Sequence, residues 1–576
     1  MVTAAPAAGR SDRKPPTARP HLDAMIARLQ EGAGRFVRLS LPERISLARA
    51  MQAGYLEIAR ASVEVACTAK GLPLGTSAEG EEWINPWAVV RHLRLVAEAL
   101  GELARNGNTP VGPVSRTADD RLAVQVFPAG RVDGVLFSGI TAEVHLAAGV
   151  TEDGMARSRA SFYKAKSHGG RTVLVLGAGN LTAIPAMDVI TKLFNEGKVC
   201  LLKMNPVSSY RGPFLEAAFA EPIARGFLAV AHGGAEEGAY LAQHPGIDEI
   251  HLTGSDRTYD ELVWGPPGPD REGRKARNAP LVTKPVSAEL GNVSPVLVVP
   301  GPYSKRELSF QAETIAGAVV HNASFTCTSA KLLLSPRGWS GRERLLRAIE
   351  QALAGAPVRQ AYYAGADERW RKLTRGRAML RMVGSAGAGQ LPWTLVSDLD
   401  PADPEEPAFS VEPFCPILSE TAIGSDDPLE YLERAVEFAN GRTWGTLSAT
   451  IVVHPQTLKD ARLGPAVERA IARLRYGTVA LNAWSGLSFG LGSTPWGAHP
   501  SSTPADIQSG TGWVHNAFML EEIEKTVLRH PLTIVPKPGT FPSHRTVLPL
   551  MRRLTALEKR ASWTRVPGVI AAAMRA

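Results

Sequence analysis

Four cysteines scattered through 576 residues are too few for a disulfide framework or a zinc cluster. The thirteen histidines show no ligand spacing such as His-x-x-x-His, so no metal is expected. No apolar run approaches the roughly 20 residues needed to cross a bilayer. The first twenty residues are rich in Ala, Pro and Arg and lack the hydrophobic centre of a secretory signal. Together these absences point to the cytoplasm. Zinc-finger spacing and aromatic RNA-binding motifs are also missing, which argues against a nucleic-acid partner despite the net charge of +8. That charge is uneven. Residues 545–576 hold seven Arg or Lys and one Glu, so this tail carries +6 and the rest of the chain only +2.

What is present is a globular composition, 44% apolar and 21% charged, over a length that suggests about two to four domains. Residues 41–60 and 86–105 have the spacing of amphipathic helices. Residues 122–127 and 134–137 read as extended. From Arg171 short apolar runs alternate with helical stretches: strands at 172–176, 198–203, 227–231 and 247–252, with helices at 183–195, 214–225 and 236–243 between them. That alternation predicts βαβ units and a parallel sheet, whose ligands bind at the carboxyl ends of the strands. A Gly/Pro/Arg-rich stretch, 265–280, reads as a surface loop. In the tail, Val547, Leu550, Met551, Leu554 and Leu557 share one helical face. This basic amphipathic pattern could lie on an anionic membrane or dock on its own domain.

Cys327 stands in the run His321-Asn322-Ala323-Ser324-Phe325-Thr326-Cys327, at an element boundary before the apolar Leu332-Leu333-Leu334. Two acidic motifs bracket it, Ala288-Glu289-Leu290-Gly291 upstream and Glu412-Pro413-Phe414-Cys415-Pro416 downstream. A thiol with carboxylates available for proton transfer suits covalent catalysis, although a lone cysteine is more often a buried structural residue. The turn Gly177-Ala178-Gly179-Asn180 has only part of a dinucleotide fingerprint.

Taken in order, several segments resemble the aldehyde dehydrogenase superfamily. They are Gly246-Ile247-Asp248-Glu249-Ile250-His251-Leu252-Thr253-Gly254-Ser255, Glu289-Leu290-Gly291, the Cys327 segment, Glu412-Pro413-Phe414, Gly477-Thr478-Val479-Ala480-Leu481-Asn482 and Pro495-Trp496-Gly497. The resemblance implies an α/β fold with a Rossmann-type cofactor domain, an α/β catalytic domain and an oligomerisation or extension region. It implies oxidation of an aldehyde with NAD or NADP. Cys327 would be the nucleophile, Asn180 an oxyanion donor and Glu289 the base that activates water. Lys203, Gly226, Gly233, Gly254, Ser255, Leu290, Glu412 and Phe414 would contact the cofactor, with Gly254 and Ser255 offering N–H groups and a hydroxyl to its pyrophosphate. A homo-oligomer is expected.

The expected division is a flexible arm at 1–35, a cofactor domain at 36–288 with a return segment at 483–530, a catalytic domain at 289–482 and a basic extension at 531–576. The chain also departs from the family pattern. Met204-Asn205-Pro206 follows Lys203, without the acidic residue that favours a free 2′-hydroxyl, so NADP is as plausible as NAD. Asn292, Tyr259 and Cys415 replace usual glycines. The competing readings are a CoA-acylating relative or acyl-CoA reductase and a non-catalytic, membrane-associated binding protein.

Overall fold

The computed structural model describes residues 14–576 and contains two main sheets. The smaller runs Gly510–Thr511, Val286–Glu289, Glu249–Thr253, Thr172–Leu176, Val199–Lys203, Leu228–Ala231 across its width. Its last five strands are parallel. Their side chains are almost wholly buried, as expected of strands covered by helices on both faces. From Thr172–Leu176 the chain winds outward through 199 and 228, then returns to the other side through 249 and 286. The reversal leaves a crevice at the carboxyl ends of Thr172–Leu176 and Glu249–Thr253, the place where such sheets take ligands.

The larger sheet has eleven strands. Its centre is parallel: Thr478–Leu481, Ser448–Val452, Pro295–Val298, Leu332–Pro336 and Ile417–Ile423 lie side by side. Antiparallel strands Val114–Arg116, Leu122–Phe127 and Thr141–Leu146 extend one edge through Ile523–Arg529.

Four expectations are corrected here. Residues 19–36 of the supposed arm form the helix Arg19–Phe36, which buries Leu22, Ile26, Leu29 and Phe36; the rest of that expectation includes residues 1–13, outside the described part. Residues 134–136 belong to the short helix Arg131–Leu136, with Phe137 as its C-cap, and not to a strand. The 265–280 stretch contains the helix Pro269–Ala276, whose Arg271 and Lys275 are held by Asp260 at 3.6 and 2.8 Å. Finally, the strands at 114–146 and 523–529, expected in the cofactor domain, pair with the larger sheet, because register there is set by long-range partners invisible to local pattern.

The basic tail forms the helices Val547–Glu558 and Val566–Ala573. The apolar face of the first is turned inward, with Leu550, Met551, Leu554 and Leu557 buried against the helices Ser77–Glu82 and Ile84–Asn106. Glu558 ends this helix in a buried ion cluster. It bonds Arg91 at 3.0 Å and Arg94 at 2.7 Å, and Arg91 also bonds Asp133 at 2.6 Å. The Gln52 side chain donates to the Glu558 carbonyl at 2.8 Å. Among the described residues no helix is long and apolar enough to cross a membrane.

Removing Glu558 leaves buried Arg91 with Asp133 alone and Arg94 with only the exposed Glu98. Glu558→Ala should therefore lower stability by about 3 kcal/mol, measured as a shifted midpoint in chemical denaturation. An unchanged midpoint would mean that the tail is not anchored there.

Candidate active site

The nucleophile candidate is carried by a contorted turn. After the helix Lys305–Val320 the chain passes through Asn322, Ala323 and Ser324 at φ of 51°, 54° and 67°. Left-handed backbone costs a non-glycine residue about 1–2 kcal/mol, so three in a row need outside support. The support is a set of buried hydrogen bonds. The Asn322 amide N–H donates to Glu81 Oε1 at 2.6 Å. Its side-chain Nδ2 donates to the carbonyls of Asn180 and Phe325 at 3.2 and 3.0 Å. Its Oδ1 accepts from Lys70 Nζ at 3.1 Å and from the Tyr362 hydroxyl at 3.0 Å. Lys331 Nζ donates to the Ser324 carbonyl at 2.9 Å.

This turn brings Cys327 against Glu289, which ends the strand Val286–Glu289 of the other sheet. Glu289 is 3% exposed. Burial, with the nearby Asp188 carboxylate, pushes its carboxyl up to about 8, against the pull of a hydrogen bond with the Cys327 thiol. Cys327 is raised well above the ordinary thiol range by burial and by the Glu289 and Glu412 carboxylates. At neutral pH both groups therefore keep their protons, and deprotonating either one eases when the other is neutral. Asp188 itself accepts from the Thr253 hydroxyl at 3.0 Å and lies 3.6 Å from His251.

Asn180 Nδ2 donates to the Phe325 carbonyl at 3.0 Å, in the turn two residues before the thiol. Its side chain does not cap the next helix, which starts after Ala183 without a side-chain cap. Asn85 Oδ1 accepts from the Ala183 N–H instead.

The proposed cofactor residues fall into two groups. Lys203, Gly233, Gly254, Ser255 and Leu290 stand at or just beyond the carboxyl ends of the smaller sheet. Lys203 is buried, and that burial lowers its pKa. Glu412 lies on the same crevice wall, pressed so closely on Gly291 that a Cβ there would fall 2.1 Å from Glu412 Oε2. Glu412 Oε1 is buried without a hydrogen-bond partner, and burial raises its pKa against the pull of Lys331. A buried acceptor with no donor in the protein suits a ligand hydroxyl. Phe414, at φ 41°, packs on Phe325 and Tyr363.

Two expectations are corrected. Gly226 precedes the strand Leu228–Ala231 and so lies at the opposite end from the crevice, packed under the helix Arg19–Phe36. A glycine before a strand and one after it look alike in sequence. Gly254 does not offer its N–H to a ligand, because that N–H donates to the Glu289 carbonyl at 3.1 Å. The Ser255 hydroxyl accepts from the Thr258 N–H at 3.2 Å, capping the helix Asp256–Trp264, and keeps its own O–H as a donor.

Sequence reading missed Asp188, Asn322 and Lys331. Asp188 is the single charged residue in the otherwise apolar helix Ile184–Ile190, a signal that was there to be used. Lys331 has no such signal, since a lysine before an apolar strand looks like any surface residue. Among the described residues no group of three or more His, Cys, Asp and Glu is placed to hold a metal.

With this geometry in hand, solved structures give the decisive comparison. The NADP-dependent glyceraldehyde-3-phosphate dehydrogenase of Bacillus halodurans, complexed with NADP, superposes with a TM-score of 0.61 at 19% identity, covering 92% of this chain and 95% of that one. The chain has the aldehyde dehydrogenase fold. An aldehyde dehydrogenase of Mycobacterium tuberculosis complexed with NAD+ gives 0.60 at 17% identity, covering 89% and 91%. Among curated proteins, N-succinylglutamate 5-semialdehyde dehydrogenase of Ectopseudomonas mendocina is 32% identical over 127 residues, 22% of this chain and 23% of that protein. The peroxisomal aminoaldehyde dehydrogenase 1 of Pisum sativum is 32% identical over 114 residues, 19% of each. These matches span less than a quarter of the curated relatives' length. No family model matches.

In this fold Cys327 is part-exposed, while Cys67, Cys200 and Cys415 are buried. A small thiol-alkylating reagent should therefore label Cys327 alone. Because the thiolate is the reacting form, the rate should climb about tenfold per pH unit beyond pH 9 without levelling off. A plateau near pH 7, followed by mass spectrometry of the modified peptide, would show instead a thiol that is already ionised.

Proposed function

We propose that the chain oxidises an aldehyde to a carboxylic acid with NAD or NADP as oxidant. The observation that carries this reading is the apposition of the Cys327 thiol and the Glu289 carboxyl at the end of the ligand crevice.

The chemistry follows from what each side chain can hold or move. Glu289 in its carboxylate form takes the thiol proton, and the Cys327 thiolate attacks the aldehyde carbon. Asn180 has a second amide N–H beyond the one given to Phe325, and with the Cys327 N–H it would stabilise the oxyanion of the thiohemiacetal. When bound, NAD or NADP supplies the acceptor for the hydride lost from the aldehyde carbon. Once Glu289 has passed the thiol's proton to solvent, its carboxylate draws a proton from water as the water attacks the thioester; the acid leaves, and that proton returns to the departing Cys327 thiolate.

Glu412 with its unpartnered Oε1 and the buried Lys203 fit the hydroxyls of a ribose on this reading. Asn205 is neutral and folded against Gly179, and the carboxylate that acts on Lys203 is that of Glu237. We also take the protein to be a cytoplasmic homo-oligomer. Any membrane contact of the tail would fall to the exposed Trp563, Ile570 and Met574, since the main apolar face is packed inside.

The test is a panel of aldehydes with NAD or NADP, with and without CoA, following formation of reduced cofactor. Turnover without CoA is expected; strict dependence on CoA would replace hydrolysis by acyl transfer to a thiol. Cys327→Ser should abolish turnover. Because Glu289 works only as the carboxylate, kcat should rise with pH through about 8. Glu289→Gln should lose that limb, slow turnover by about a hundredfold or more and accumulate an acyl-enzyme visible by intact-protein mass. A Glu289→Gln enzyme with the wild-type pH profile would remove Glu289 from the mechanism.

A further inference from the structure

Beside the active site lies a cavity of about 870 Å³, within the size range of sites for organic ligands. Cys327 does not line it. Its inner end is formed by His321 and Trp484, whose rings pack at 4.8 Å, and Trp484 Nε1 donates to the carbonyl of Thr328, the residue after the nucleophile, at 2.7 Å. The Trp484 ring therefore links the cavity wall to the reacting segment.

Its walls come from elements of different origin. One side is the face of the helix Ile84–Asn106 that carries Ile84 and Trp87. The other is the basic tail, where Leu550, Met551 and Leu554 point into the space and Val569 and Ile570 close over it. The outer end is marked by Val135, Val535, Ile570 and Met574, which are 48, 72, 40 and 58% exposed. These four are among the few large apolar side chains that the protein leaves in water. Such residues gathered on one rim mark a place where apolar matter enters.

Polar groups also lie on the wall: Lys537 donates to Ser543, and Arg359 Nε is buried without a partner. Arg359 bonds Glu81 at 2.9 Å, and Glu81 also accepts from the Asn322 N–H of the nucleophile turn. The lining is nevertheless mainly apolar, which suits a flexible hydrocarbon chain.

We infer that this cavity holds the chain of a long aliphatic aldehyde, whose carbonyl passes the His321–Trp484 pair to reach Cys327, and that the 531–576 extension builds the outer half of that chain site. This rests on the proposed oxidation for the carbonyl, and on the cavity itself for the chain.

Two measurements keep those parts separate. The first is kcat/KM for straight-chain aldehydes from propanal to dodecanal. Burying a methylene group should raise it about fourfold per carbon until the cavity is filled. Leu554→Trp, which narrows the cavity, should cut the decanal-to-propanal ratio at least tenfold. Ile570→Glu, at the exposed rim where folding is not at risk, should lower the same ratio. The second is binding of a fluorescent polyene fatty acid to the full-length Cys327→Ser protein, which needs no turnover. Saturable binding, displaced by decanal and weakened by both cavity substitutions, is expected. Probe binding without turnover of any aldehyde would support the cavity assignment and overturn only the proposed oxidation. A chain-length profile that is flat, or probe binding indifferent to both substitutions, would overturn the inference.

Discussion

The clamp on residues 322–324 is the constraint from which the rest of the site follows. A turn of three left-handed residues would relax if released, and relaxation would carry Cys327 away from Glu289. Holding it are a helix (Glu81), a second helix (Lys70), the first cofactor-sheet turn (Asn180) and the following strand (Lys331). Because these come from both sheets, the turn acts as the rivet between them. The tight packing of the two sheets and the strain in the turn are two views of one arrangement.

The electrostatics of the site run against ionisation. Glu289, Glu412 and Asp188 lie close together in a buried region, with Lys331 as the nearby cation. Repulsion and desolvation keep protons on the thiol and on Glu289 at rest. A site arranged this way gives up a proton only when a reacting partner offers charge stabilisation, which suppresses idle thiolate chemistry such as oxidation.

How much of this could be read from the chain alone depended on whether the determinant was local. The βαβ run from Arg171 was legible because each strand is a short apolar block between helices, and Cys327, Glu289 and Glu412 were legible through their motifs. The left-handed turn was not, because three consecutive non-glycine residues with positive φ contradict local preference and exist only through tertiary bonds. Gly226 was misplaced because a glycine reveals a turn but not which end of a sheet the turn occupies. Gly254 was correctly put at the crevice, yet its N–H was already engaged with Glu289, a partner 35 residues away. Of the edge strands within 114–146 only 122–127 was legible as extended; 134–137, read the same way, is largely helical, and the sheet that 122–127 joins is set by distant partners.

The ion cluster around Glu558 carries one more consequence, for the order in which the molecule is made. Arg91 and Arg94 emerge from the ribosome more than 460 residues before the carboxylate that neutralises them, and Gln52 waits longer for its acceptor. The helix Ile84–Asn106 finds Asp133 for Arg91 and the helix Leu41–Lys70 to pack on early, but the face that takes the tail stays open through almost the whole of synthesis. Such a nascent chain is a client for chaperones, and its yield in a cell should depend on them more than its finished stability would suggest.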